Sequence, residues 1–149
     1  MSQTNFNQEQ NSEQRQPRNN QGDNPERTYK ELVAWQKAHS LVIKIFDVTT
    51  MFPKEELIGL TGQIKNIAVL IPALLVEGYV SNNSNKYIDC LDEALSKLAH
   101  LEYLLLLAKD VRFLPRNLHD ETEKLRQDVN FLFFRLLESI RRRTLSKRR

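Results

Sequence analysis

A chain of 149 residues, 28% of them charged and 40% hydrophobic, has the size and composition of one globular domain. Its net charge of +3 is unevenly spread: residues 1–140 are slightly acidic, and the whole basic excess lies in the closing run RRRTLSKRR, residues 141–149. The single cysteine, Cys90, excludes an intrachain disulfide, and no apolar leader or membrane-length apolar run is evident, which together point to a cytoplasmic protein with no membrane partner.

Residues 1–27 contain twelve Asn or Gln and little apolar surface beyond Phe6. Such a segment cannot bury enough to offset its ordering entropy, so it is predicted to be disordered, either as a solubilising tail or as a tether. Structure begins at Thr28-Tyr29-Lys30-Glu31, which has the form of a capping box. Leu32, Trp35, Ala38, Leu41, Val42, Ile45 and Phe46 then recur at helical spacing and predict a first amphipathic helix. Lys30, Lys37 and Lys44 sit seven apart on one face, either solvated or contacting phosphates. Phe52-Pro53 closes this helix, because proline turns the residue before it away from helical angles.

The second segment, Gly59–Gly78, is the one the chain is organised around. Gly59 and Thr61 are its predicted start and Gly78 its predicted stop. Ile67–Val76 is apolar without interruption, so as a helix it presents apolar side chains all round, against the stripe about 100° wide of an ordinary surface helix. Pro72 removes a hydrogen bond to Ala68 and predicts a kink. Glu77 opposes the helix dipole, and is expected to be solvated or paired with a base from elsewhere.

Ser84 is the predicted cap of a third helix, with Tyr87, Ile88, Leu91, Leu95, Leu98, Leu101, Leu105 and Ala108 as its core stripe and Cys90 as a packed, inert thiol. Leu104, Leu106 and Leu107 exceed that stripe. After Phe113-Leu114-Pro115, a fourth helix carries the seam Leu118, Thr122, Leu125, Val129, Leu132, Leu136 and Ile140, in steps of three and four suited to shallow bundle packing. Phe131, Phe133, Phe134 and Leu137 fall off that seam.

No chemistry-bearing constellation emerges. His39, His100 and His119 stand on separate elements without a second ligand at helical spacing, and no phosphate-binding glycine loop, nucleophile elbow or Cys-x-x-Cys is present. The chain therefore reads as a non-enzyme with no catalytic residue, metal, cofactor or small-molecule substrate. The surplus apolar surface predicts assembly with copies of itself, with Leu70, Leu74, Leu104, Leu107, Phe133 and Leu137 as interface residues.

Leu32-x-x-Trp35-Gln36-Lys37-Ala38, Phe52-Pro53-Lys54-Glu55-Glu56, Gly59-Leu60-Thr61-x-Gln63-Ile64, Ile71-Pro72, Glu77-Gly78 and Ala94-Leu95-x-x-Leu98-Ala99-x-Leu101-Glu102 follow one another in order. In these motifs, over about residues 29–140, the chain resembles the bacterial four-helix-bundle proteins named for reading frames inside intervening sequences of 23S ribosomal RNA genes. The resemblance implies an all-α, up-and-down antiparallel four-helix bundle over residues 28–140, assembled as a ring-like homopentamer. It also implies kinship with the accessory variability determinant proteins of diversity-generating retroelements, which bind a reverse transcriptase and nucleic acid through a basic surface. The chain departs from that pattern: Lys65-Asn66 stands where the family tends to have paired arginines, and Val80-Ser81-Asn82 where it tends to have Gly-Arg-Arg.

With basic groups gone from the body, the expected contacts for RNA or DNA are Arg141, Arg142, Arg143, Lys147, Arg148 and Arg149, with Lys30, Lys37 and Lys44 as the alternative face. The first three arginines have a plainer role as well, since they can extend the fourth helix and complement its dipole. The expected function is a nucleic-acid-linked, oligomeric accessory protein, with a reverse transcriptase as a further partner. The alternative is a structural or protein-interaction module whose basic tail only solubilises.

Overall fold

The computed structural model describes residues 29–147; residues 1–28, including the expected tail and Thr28 of the expected capping box, lie outside them, as do Arg148 and Arg149. Four long helices make up the described chain: α1 (Val33–Thr49), α2 (Leu60–Val80), α3 (Ser84–Asp110) and α4 (Arg116–Lys147). A single 3-10 turn, Lys54–Glu56, lies between α1 and α2. Each helix packs on its neighbours in sequence, and α4 returns to α1, so α1 and α3 are diagonal, as are α2 and α4. Late α1 touches early α4 through Lys44 and Glu121, late α2 touches early α3 through Gly78 and Tyr87, and late α4 touches early α3 through Arg141 and Asp92. All three contacts are antiparallel, which gives the expected up-and-down bundle.

The helix ends differ from the sequence expectation at four places. Glu31 sits in a turn ahead of α1, whose N-cap is Leu32 with no side-chain cap. At α2, Thr61 is inside the helix and buried, and the Glu56 carboxylate accepts from the Leu60 amide at 3.3 Å instead. Asn83, rather than Ser84, caps α3 by accepting from the Lys86 amide at 3.1 Å. Gly78 does not stop α2. The helix runs on to Val80, and Asn82, at φ 52°, supplies the left-handed residue that ends it. Gly78 is buried against α3, where a Cβ would lie 2.7 Å from Tyr87 Cδ2 and 3.0 Å from Cys90 Cβ. Its missing side chain is what lets the two helices approach.

The core runs the length of the bundle: Ala38, Leu41 and Ile45 from α1, Ile64, Ala68, Ile71 and Leu75 from α2, Leu91, Ala94, Leu98, Leu101 and Leu105 from α3, and Val129 and Phe133 from α4, all fully buried. Phe46, expected in the α1 stripe, is exposed instead, with the Lys65 ammonium 4.8 Å from its ring centroid. On α4 four of the seven seam positions move on by one residue, while Thr122, Val129 and Ile140 are buried as expected. The buried residues are His119, Thr122, Arg126, Val129, Phe133, Leu137 and Ile140, while Leu118, Leu125, Leu132 and Leu136 flank them half-buried.

Arg126 is tolerated in that seam because its charge is met. Its guanidinium donates twice to Glu123 at 2.7 Å and once to the Leu98 carbonyl at 3.3 Å, with Glu102 at 3.3 Å. Burial works against the charged form, but the hydrogen bond and charge of Glu123, with Glu102, outweigh it and raise the Arg126 pKa. Among the described residues α2 alone has the length and apolar character of a membrane span, and Ala68, Ile71 and Leu75 commit it to this core.

Candidate functional site

The basic run at the C-terminus is not a separate segment as far as it is described. Residues 141–147 continue α4 as helix, and Arg141, Arg142, Arg143 and Lys147 are all exposed. Arg141 is taken up inside the chain, donating from Nη2 to both oxygens of Asp92 at 3.2 and 3.0 Å. Arg142 lies 3.8 Å from Glu138 with 79% of its side chain exposed, and Arg143 donates to Ser139 Oγ at 3.2 Å. Such solvated pairs contribute little and re-partner readily. The helix therefore presents Arg142, Arg143 and Lys147 as an exposed cationic end, with Arg148 and Arg149 following outside the described residues.

The three lysines of the alternative face are placed differently. Lys30 precedes α1 in a turn, and Lys44 is held by Glu121 at 2.7 Å. Lys37 alone of the three is an exposed helical lysine without an ion partner among the described residues.

The expected self-assembly residues divide. Leu74, Leu104, Phe133 and Leu137 are buried in the chain's own core and offer no area to a second copy. Phe133 and Leu137 lie in the buried seam of α4, and Leu104 and Leu74 on the buried faces of α3 and α2. Leu107 is half-buried, and Leu70 is exposed at 39%. Other apolar residues are left outside, among them Val69 beside Leu70 on α2, Tyr103 and Leu106 on α3, Phe131 and Phe134 on α4, Ile43 on α1, and Leu57 and Ile58 between α1 and α2. The sequence marked all three phenylalanines as off the seam; only Phe133 turned inward. Arg135, whose guanidinium lies 5.5 Å from the Phe131 ring centroid, completes this outer α4 face.

At the end of the bundle where α4 finishes, aromatic side chains close the top. Tyr29 meets Trp35 edge-on at 5.5 Å and Tyr79 at 6.5 Å, and Tyr79 meets Tyr87 at 6.0 Å. His39 stacks on Trp35 with 5.1 Å between centroids. Burial, then Tyr79, pushes the Tyr87 phenol well above its ordinary range, and its hydroxyl has no hydrogen-bond partner. Cys90 is packed and its pKa is raised, first by burial and then by Glu77, which fits an inert thiol. No group of three His, Cys, Asp or Glu side chains suited to a metal is present among the described residues.

Comparison with known proteins agrees with this geometry. A protein of unknown function from the S23 ribosomal protein family of Bacteroides thetaiotaomicron has the same fold: TM-score 0.66 at 19% identity, covering 71% of this chain and 96% of that one. No curated protein matches. The sequence pattern of the 23S rRNA-intervening sequence proteins matches residues 30–133, all four helices up to the middle of α4, and the chain belongs to that family.

Proposed function

We propose that this protein is a non-enzymatic, cytoplasmic accessory protein that assembles with copies of itself and binds single-stranded nucleic acid through the cationic end of α4. The carrying observation is that α4 runs 32 residues without a break and holds Arg142, Arg143 and Lys147 exposed at its tip. A rigid helix delivers these charges together, and assembly multiplies them into a set whose avidity exceeds that of one tip. Arginine stacks on unpaired bases as well as pairing with phosphate, which favours single-stranded RNA over duplex. The family resemblance adds the ring-like homopentamer and a reverse transcriptase as the protein partner.

Fluorescence anisotropy with labelled single-stranded RNA tests the reading, comparing the full chain with one ending at Ile140 across a salt series. Arg141 is engaged by Asp92, so five cations remain per tip counting Arg148 and Arg149, and the salt slope is about −3 to −4 per engaged tip. Equal affinity and equal slope in the two proteins would remove the tip as the site. The tie of Arg141 to Asp92 and the exposed Phe131 and Phe134 favour the second reading, a protein-interaction module, and that outcome would select it.

A further inference from the structure

At the end of the bundle away from the α4 tip, three cations share one concavity. Lys109 comes from the last turn of α3, Arg112 from the connector and Arg116 from the start of α4. With Leu114 and Pro115 they line a space of about 460 Å³. Leu114, 1% exposed, anchors the apolar floor in the core. None of the three bases forms an ion pair among the described residues. Asp110 beside Lys109 pairs with none of them, and the first carboxylates of α4 are engaged elsewhere, Asp120 by His119 at 3.1 Å and Glu121 by Lys44 at 2.7 Å. Like charges gathered at one opening repel each other until an anion enters.

The backbone holds Arg112 at this opening against its own preference. Phe113 and Leu114 donate their amides to the Ala108 carbonyl at 2.9 and 3.1 Å, and Arg112 donates its amide to the Lys109 carbonyl at 3.0 Å. This closure of α3 puts Arg112 at φ 68°, a left-handed position that glycine enters freely and arginine does not. The residues after it are pinned. The Phe113 ring packs on Phe52 with 5.9 Å between centroids, and Leu114 is buried. Glycine would keep the same three hydrogen bonds without the strain, so the closure itself gives no reason for an arginine. The cavity does, since a strained residue held by its surroundings is a sign of function.

We propose that this concavity binds a phosphate-bearing anion of two or more charges, either free diphosphate or the diphosphate of a nucleotide. Arg112 and Arg116 offer forked N–H donors to phosphate oxygens, and Lys109 adds a compact charge. The space is within the range of small-ligand sites and larger than a diphosphate fills, which leaves room for a ring on the Leu114–Pro115 floor. About 40 Å of α4 separates Arg116 from Arg142, several times the distance over which physiological salt screens charge. The site is thus separate from the cationic tip and does not rest on nucleic-acid binding there.

Isothermal titration calorimetry of the full chain at fixed ionic strength tests it, with pyrophosphate, adenosine diphosphate and sulfate as titrants. Both phosphates are expected to bind, and sulfate about tenfold more weakly. Arg112→Gly removes the charge and the strained conformation together. It should lose about tenfold or more in affinity while melting no lower than the parent. Lys109→Gln and Arg116→Gln should lose affinity to a similar degree with unchanged far-UV circular dichroism, whereas Arg142→Gln, at the tip, should bind as the parent does. A nucleotide that binds more tightly than pyrophosphate assigns the apolar floor to its base, and equal affinities assign the site to free diphosphate. A parent chain that binds neither phosphate, or binds sulfate equally well, overturns the proposal. So does an Arg112→Gly protein that keeps full affinity, or one that melts well below the parent, which would make the arginine part of the fold. Loss of binding in Arg142→Gln would move the site to the tip and overturn it as well.

Discussion

Gly78→Ala sets two physical effects against each other, and the structure decides the sign. Glycine inside a helix costs about 1 kcal/mol relative to alanine, so propensity alone makes the substitution stabilising by that amount. The new methyl, however, would stand 2.7 Å from Tyr87 Cδ2, 3.0 Å from Tyr87 Cα and 3.0 Å from Cys90 Cβ. The ring atom can swing aside, but a backbone Cα and a Cβ move only with α3 itself. Overpacking of this kind costs roughly 1–3 kcal/mol, and α2 and α3 share the most extensive helix contact in the bundle, which puts the cost at the upper end. The expected net change is a loss of about 1–2 kcal/mol, or roughly 4–8 °C in melting temperature for a domain of this size. Gly78→Val, which adds two methyls and a β-branch to the same contact, should lose about twice as much. Urea denaturation of the three proteins at one concentration measures it. A Gly78→Ala protein more stable than the parent would mean that α2 and α3 are not held at this separation, and the close-approach argument would fall.

Two further outcomes follow from buried polar groups. Tyr87→Phe removes a hydroxyl without a partner and keeps the ring against Tyr79, so it should stabilise the fold by about 1 kcal/mol. Because the folded phenol titrates above its ordinary value of 10.0, the unfolded chain loses this proton first. Stability should therefore decline as pH rises above 10, and a pH series of melting curves should show a shallower decline in Tyr87→Phe. Arg126→Met leaves the Glu123 carboxylate, 16% exposed, with Gln127 Nε2 at 3.3 Å as its remaining side-chain donor among the described residues, and should cost about 3 kcal/mol by urea denaturation. Adding Glu123→Leu should recover most of that, since an apolar pair of similar volume replaces a buried ion pair at little net loss.

Much of the fold was legible because periodicity reports which residues share a helix face. The four helices and their order follow from apolar spacing, and their up-and-down arrangement is what the family resemblance implies. The ends were less legible. Gly78 carries the usual signature of a helix stop, and nothing within the chain's local sequence says that Tyr87 and Cys90 need its missing Cβ. Asn82 could be read as the stop instead, but only once Gly78 is known to be occupied elsewhere.

The site was legible in part, for a related reason. Along α4 the leucines at 118, 125, 132 and 136 outvote His119 and Arg126 in any hydrophobic count, so the seam reads one position away at those four places. What turns the helix is a partner on another element: the Leu98 carbonyl and Glu102 on α3 accept the Arg126 guanidinium, with Glu123 one turn back on α4. The Glu-x-x-Arg spacing was the signal available in the sequence, and it looks the same on a solvated face. That small rotation has a large consequence for function. It draws Phe133 and Leu137 into the core and leaves Phe131 and Phe134 outside, in line with Arg135 and Arg142. The buried Arg126, met by Leu98, Glu102 and Glu123, thus belongs to the rotation of α4 that carries Phe133 and Leu137 into the core.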